Sequence, residues 1–153
     1  MTTSSDVELI AAGAAESGVS IAIAESLTSG RLATQVGAGR EASEWFAGAV
    51  VAYHVSTKQK LFGLPPGVDP CSAECAEILA TGVRELLEAD VAISTTGVGG
   101  PDEQDGHRPG TVYVGWATSA GAGSTLCEFD GNPDEILDQT VAEALRILAA
   151  MLS

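Results

Sequence analysis

Apolar residues recur at helical spacing along much of the chain. Side chains three and four positions apart lie on one face of an α-helix, so this spacing predicts amphipathic helices. Ser5 and Glu8 form a capping-box pattern at the start of the first helix, and Gly18 ends it; Asn132 and Pro133 introduce the last helix. The predicted helices cover residues 5–17, 28–36, 56–62, 72–88 and 133–152.

Short apolar segments between these helices predict β-strands. The segment "VSIAIAE", residues 19–25, alternates larger apolar residues with small ones, which is typical of a buried strand against closely packed helices. Further strands are predicted at residues 48–53, 90–97, 111–117 and 124–130. Helices and strands interleave in the first half, whereas strands pair in the second. We therefore expect an α/β fold, a three-layer α/β/α domain whose mixed sheet is covered by helices on both faces.

The length and composition fit one globular domain. The 153 residues are 45% hydrophobic and 18% charged, which is enough apolar material for a single core. We expect this domain to span residues 1–153, with residues 1–5 as a flexible tail. Trp45 and Phe46 are expected to anchor the core or an interface.

The chain is strongly acidic. It contains 21 Asp and Glu residues against 7 Lys and Arg residues, a formal net charge of −14. Such a surface repels phosphate backbones and anionic lipids, which argues against general nucleic-acid binding and membrane binding. The first ten residues are acidic where a signal peptide is basic, and no apolar run is long enough to span a bilayer. We therefore expect a cytoplasmic protein.

The cysteines give little support for a disulfide framework or a metal site. There are three, an odd number, and Cys71 and Cys75 are spaced as i and i+4 on a helix. With His54 or His107 they could in principle bind zinc, but no CxxC motif or second pair supports this. We expect buried thiols and no bound metal.

Ser26 lies in "AESLTSG", where a predicted strand passes into a predicted helix. A serine at such a turn is exposed at the sheet edge, close to backbone N–H groups that can stabilise an oxyanion. Serine is also a preferred helix N-cap residue, so the structural alternative is a simple cap, with Glu25 as its local hydrogen-bond partner.

A nucleophilic serine needs a base, and two types are available. His54 and His107 are the only histidines. A Ser-His-Asp triad cannot be predicted from sequence intervals, because its three residues come together only in the folded chain. Lys58 follows Tyr53 in "YHVSTK"; burial would lower the lysine pKa, and a neighbouring phenol could relay the proton. The alternative is a solvated lysine beside a half-buried tyrosine.

The segment "TTGVGGPDEQDGHRPG" forms a third candidate site. Gly97, Gly99 and Gly100 allow the backbone to approach a ligand closely after a strand, although a plain surface turn would also explain them. The GK[ST] element of a P-loop is absent, so nucleoside-triphosphate chemistry is unsupported.

Five segments together resemble the C-terminal domain family of CinA, the nicotinamide-nucleotide amidohydrolases. That family carries A-E-S-C-T-G-G, a W-F pair, Y-x-x-x-x-K, G-x-A-G-P and K-P-V-G-T-V. The matching segments in this chain occur in the same order: "AESLTSG", "EWF", "YHVSTK", "TGVGGPD" and "RPGTVYVGWA". The resemblance implies an α/β/α domain that tends to dimerise or form a higher homo-oligomer.

The resemblance also implies an activity and its residues. It implies hydrolysis of the nicotinamide mononucleotide carboxamide to nicotinic acid mononucleotide and ammonia, without cofactor or metal. Ser26 matches the nucleophile, Lys58 the general base and Tyr53 the residue that assists it. From the supply of cations, Arg31, Arg40 or Arg108 would meet the substrate phosphate. The expected substrate-binding residues are Glu25, Leu27, Thr28, Ser29, Gly30, Arg31, Gly97, Gly99, Gly100 and Arg108.

Departures from the family pattern leave alternatives open. Leu27 stands where the family has Cys, and Ser29 where it has Gly, which restricts the backbone at the turn. Two other functions therefore remain open on the same scaffold. One is a hydrolase that acts on another amide or ester, and the other is a non-catalytic nucleotide-binding domain.

Overall fold

The computed structural model describes residues 4–153 and consists of five strands and six helices within that range. In chain order these are α1 (Ser5–Ser17), β1 (Ile21–Glu25), α2 (Arg31–Gly37), α3 (Ala42–Trp45), β2 (Phe46–Val51), α4 (Val55–Phe62), α5 (Ala73–Leu86), β3 (Val91–Gly97), β4 (Thr111–Thr118), β5 (Gly121–Glu128) and α6 (Pro133–Met151). No helix among the described residues is long and apolar enough to cross a membrane.

The five strands form one mixed sheet in the order β2-β1-β3-β4-β5. β1 pairs in parallel with both β2 and β3, whereas β3, β4 and β5 pair antiparallel in succession. The parallel part follows from the helices that return the chain between strands. In the antiparallel part, a long loop joins β3 to β4 and a tight turn joins β4 to β5. The α/β fold with a mixed sheet is confirmed.

The alternation of residue size in β1 separates two helical layers. Ile21 and Ile23 pack in a cluster with residues of α1 and α6, whereas Ala22 and Ala24 belong to a second cluster with α5. The small residues let α5 approach the sheet closely, since a side chain at Gly115 of β4 would collide with the Ala76 carbonyl. Helices therefore cover both faces, as the sequence predicts.

The start of α1 differs from the prediction by one residue. Ser4 caps the helix, because it is the residue with extended backbone and its Oγ accepts the Val7 N–H at 3.2 Å. The predicted Ser5 cap is wrong, and the predicted flexible tail is too long, since Ser4 and Ser5 belong to the cap and first turn. Residues 1–3 of that tail lie outside the described residues.

Two further boundaries differ where they matter for the site. β2 begins at Phe46 and ends at Val51, so Tyr53 lies in the linker before α4 and not in a strand. α2 begins at Arg31 rather than at residue 28, because a turn of left-handed residues separates it from β1. Trp45 is buried at the end of α3, as expected of a core anchor.

Candidate active site

A cleft of about 360 Å³ opens beyond the C-terminal ends of β1 and β3. Its volume lies within the roughly 300–1,000 Å³ of typical small-molecule sites, and α/β folds commonly bind ligands at this edge of the sheet. The turn after β1, the linker before α4, α4 itself and the loop after β3 line it. The cleft therefore collects side chains from segments far apart in sequence.

Ser26 is fixed at the floor of this cleft. Its backbone N–H donates to the Thr95 carbonyl at 3.1 Å, which continues the β1–β3 ladder by one residue. The residue is only 6% exposed and lines the cleft. Among residues 4–153, Ser26 Oγ has no hydrogen-bond partner, and the N–H groups of Leu27 and Thr28 donate to no protein acceptor. A hydroxyl without a protein partner and two N–H groups that could stabilise an oxyanion therefore occupy one turn.

Glu25 shapes the turn and does not face the cleft. The residue is fully buried, and its two carboxylate oxygens accept the Leu32 and Ala33 N–H groups at 3.0 Å each. A buried carboxylate is thus stabilised by charge-assisted hydrogen bonds at the positive end of α2. The Arg31 N–H donates to the Thr28 carbonyl and the next two N–H groups of the helix to Glu25, so donors for an oxyanion must come from the turn itself.

The rest of the turn is also held by internal contacts. Thr28 Oγ1 and Thr95 Oγ1 are 2.7 Å apart and buried, so Thr28 braces the turn against β3. Ser29 and Gly30 both have positive φ, at 49° and 99°, and neither lines the cleft. Of the expected substrate-binding residues in this segment, only Leu27 lines the cleft.

Lys58 is buried and lines the same cleft as Ser26. It projects from α4, is 3% exposed, and its Nζ donates to the Tyr53 backbone carbonyl at 3.0 Å. Burial lowers the pKa of the Lys58 ammonium, and the charge of the neighbouring Cys75 opposes this only in part. Lys58 Nζ makes no hydrogen bond to Ser26 Oγ in the described part of the chain, although both line the cleft.

Tyr53 lies at the cleft rim with its side chain 66% exposed. Its carbonyl accepts the hydrogen bond from Lys58 Nζ. The residue therefore both contacts the Lys58 amine and forms part of the cleft lining.

The glycine loop forms part of the cleft wall. Gly97, Gly99 and Gly100 all line the cleft, and Gly97 has φ +152°, where a side chain would collide with the Thr111 carbonyl. The loop is closed by two backbone hydrogen bonds between Gln104 and His107, at 3.1 and 2.9 Å. The glycines therefore allow the backbone itself to form the wall.

A histidine–aspartate pair anchors this loop. His107 Nε2 lies 2.6 Å from Asp69 Oδ2. Burial alone would raise the pKa of the Asp69 carboxyl, but the His107 hydrogen bond, the Cys71 N–H and the His107 charge lower it overall. The two residues are 38 positions apart, so the sequence carries no spacing signal for this pair.

Neither histidine forms a pair with Ser26. His54 caps α4, its Nδ1 accepting the Ser56 N–H at 3.3 Å, while His107 faces Asp69. Neither residue lines the cleft, whereas Lys58 does.

Cys71 also lines the cleft, where the sequence pattern did not place it. Burial, followed by the charges of Asp69, Cys75 and Asp105, raises its pKa to about 11. The group is thus a protonated thiol near neutral pH, which is a weak nucleophile. Within residues 4–153, no three His, Cys, Asp or Glu side chains cluster in a way that could hold a metal ion.

The arginines expected to meet a phosphate lie elsewhere. Arg31 pairs with Asp134 at 2.9 Å and with Asp138 at 3.3 Å, and Arg108 pairs with Asp130 at 3.2 Å. Neither arginine lines the cleft, and neither does Arg40.

The cleft lining is acidic. Among the described residues that line it, Lys58 is the only basic one, whereas Asp102, Glu103 and Asp105 of the loop after β3 are acidic. These three acids follow the glycines closely in sequence, but only the fold shows that they line the same cleft as the serine.

The fold and motifs agree with known proteins. A family model described as the CinA C-terminal domain matches residues 4–152. A competence-damage inducible protein of Bacillus cereus (strain AH820) is 46% identical over 104 residues, covering 65% of this chain and 25% of that protein. The chain thus spans about a quarter of the length of the curated relatives it matches.

Solved structures give the same result over nearly the whole chain. A CinA superfamily protein from Klebsiella pneumoniae 700603 has a TM-score of 0.93 and 25% identity, covering 99% of this chain and 98% of that chain. A second, from Escherichia coli, has a TM-score of 0.88 and 26% identity, covering 99% and 93%. The chain therefore belongs to the CinA C-terminal domain family.

Proposed function

We propose that this chain is an amidohydrolase that converts nicotinamide mononucleotide to nicotinic acid mononucleotide and ammonia. The observation that carries the proposal is the presence of Ser26 and Lys58, each more than nine-tenths buried, in one cleft of suitable size. The choice of substrate follows from the family resemblance of the five motifs. The lowered pKa of Lys58 supports its role as the base.

In the first half of the reaction, Ser26 Oγ attacks the carbonyl carbon of the carboxamide. Neutral Lys58 accepts the hydroxyl proton, and the carbonyl π electrons move onto oxygen to give a tetrahedral oxyanion. The N–H groups of Leu27 and Thr28 would donate to that oxygen. Collapse breaks the C–N bond, Lys58 returns the proton to the leaving nitrogen, and ammonia departs from an acyl-serine ester.

In the second half, water attacks the ester carbonyl while Lys58 accepts a proton from it. The second tetrahedral intermediate expels the serine oxygen, which regains a proton from Lys58 and leaves a carboxylic acid product. Tyr53 assists through its carbonyl, which orients the Lys58 amine at 3.0 Å, and through its phenol at the rim. Lys58 must rotate from that carbonyl towards Ser26, since catalytic hydrogen bonds often tighten only with substrate bound.

The test is ammonia release from nicotinamide mononucleotide by purified protein. Wild type should release ammonia and nicotinic acid mononucleotide in equal amounts, and Ser26→Ala should lose at least about 10³-fold in rate. Ser119→Ala, at an exposed hairpin far from the cleft, is the matched control and should keep the wild-type rate. Far-ultraviolet circular dichroism should confirm that both variants fold.

Three outcomes would overturn the proposal. Full activity in Ser26→Ala would exclude the serine as nucleophile. Binding of the nucleotide by wild type without turnover would favour a non-catalytic nucleotide-binding domain, and turnover of other amides or esters alone would favour a differently specific hydrolase.

A further inference from the structure

Two leucines from distant parts of the chain line the cleft together with the proposed nucleophile. Leu27 follows Ser26 directly, and Leu137 lies near the start of α6. Resting on the proposed amidohydrolase function, we infer that this leucine pair binds the ring of an aromatic carboxamide and makes the cleft selective for aromatic over small aliphatic amides. Leu137 lies outside the five motifs, and Leu27 stands where the family pattern has Cys.

Packing against the core holds the leucine pair in place. Leu27 is 6% exposed and forms a cluster with Val112 of β4 and Ile136 of α6, both almost fully buried. Leu137 is half-buried and packs against the same cluster. Dense packing of this kind restricts side chains to few rotamers, so the pair presents an apolar surface that is formed before a ligand binds.

The position of the Leu137 side chain is fixed relative to the glycine loop. A Cβ built on Gly99 would lie 3.7 Å from Leu137 Cδ2. In the described part of the chain, and apart from the residues next to Gly99, no other heavy atom lies within 4 Å of that point. The space beside the Gly99 backbone is therefore open and is bounded by the end of the leucine.

The geometry of attack places an aromatic ring near this surface. Ser26 Oγ must approach to roughly 3–3.5 Å from the carbonyl carbon of the carboxamide. In an aromatic carboxamide that carbon is bonded directly to the ring, so the ring lies among the cleft residues next to Ser26. Ring and leucine surface then both lose contact with water, which favours binding. Acetamide carries only a methyl group at the same place and leaves most of the pair uncovered.

The first experiment truncates Leu137, because alanine is compatible with a helix and the residue is only half-buried. In Leu137→Ala we expect KM for nicotinamide mononucleotide to rise by about three- to tenfold, with kcat within about twofold of wild type. Leu137→Met keeps a similar apolar volume and should keep the wild-type KM. Leu9→Ala, at an exposed position of α1 outside the cleft, is the control and should keep both constants.

The second experiment tests the selectivity itself. Benzamide and acetamide share the carboxamide and differ in the ring, so both are measured as competitive inhibitors of mononucleotide turnover. We expect benzamide to inhibit wild type at an about tenfold lower concentration than acetamide, and this ratio to fall by about threefold or more in Leu137→Ala. Leu27→Cys, which introduces the residue of the family pattern, should lower the ratio in the same direction.

The outcomes separate this inference from the proposed activity. An unchanged KM in Leu137→Ala, equal inhibition by the two amides, or inhibition by neither would overturn the inference while amidase activity stands. If wild type releases no ammonia, the amidase proposal fails, and calorimetric titration with benzamide and acetamide decides the inference. Tighter binding of benzamide that Leu137→Ala weakens would support it, whereas equal binding of the two amides, or no binding, would refute it.

Discussion

A single ionisation, that of Lys58, controls the chemistry proposed for the cleft. Burial lowers the pKa of its ammonium below the usual 10.5, so the neutral amine becomes available at lower pH than for an exposed lysine. We predict that kcat/KM rises with pH along one deprotonation whose midpoint lies below 10.5, and levels off above it. Lys58→Arg stays protonated and should lose about 10²-fold or more. A pH–rate series with ammonia detection measures both.

The exposed Lys60, two residues further along α4, provides the control. Lys60→Arg should keep both the rate and the midpoint of the profile. A Lys58→Arg variant with an unchanged midpoint would show that another group titrates, and would remove the lysine from the mechanism.

Some residues of the candidate site could be predicted from the sequence, whereas others could not. Ser26, Lys58 and Gly97 lie in ordered motifs, and the fold brings all three to one cleft. Arg31 could not be placed in the same way, because its position depends on acids more than 100 residues later, Asp134 and Asp138. The sequence gives the number of Lys and Arg residues, but it does not show which of them form ion pairs with acids in the folded chain.

At the scale of elements, Glu25 decides how the turn after β1 leads into α2. Its carboxylate accepts two backbone N–H groups in a fully buried position. Glu25→Gln replaces one acceptor oxygen by an NH₂ donor that faces an N–H group. We predict a loss of about 2 kcal/mol in the free energy of unfolding, or roughly 4–8 °C in Tm, measured by thermal denaturation.

The same variant distinguishes a structural role from a substrate contact. Glu16→Gln, at an exposed position of α1, is the control and should leave Tm unchanged. If Glu25→Gln keeps the wild-type Tm but raises KM, the glutamate contacts substrate, as the family resemblance implies, and its carboxylate does not act as the cap of α2.

The elements themselves were more predictable than their ends. The size alternation in β1 and the cap of α6 specify a buried strand and a helix start, and both appear as expected. The start of α2 was missed because its cap comes from Glu25, seven residues before the Leu32 N–H that it accepts. In a local capping pattern, the capping side chain accepts an N–H group about three residues later. A side chain that caps a helix from the other side of a turn does not produce this sequence pattern.

At the scale of the whole molecule, the net charge of −14 opposes the compact state. The ion pairs that could offset this, such as Arg31–Asp134 and Arg108–Asp130, are exposed and each contributes little. Raising NaCl at pH 7 screens the repulsion more than it weakens these pairs, since acids outnumber bases threefold. We predict that Tm increases by a few degrees, about 2–6 °C, between low salt and roughly 0.5 M NaCl. Differential scanning calorimetry checks this, and a fall in Tm would mean that attractive pairs outweigh the repulsion.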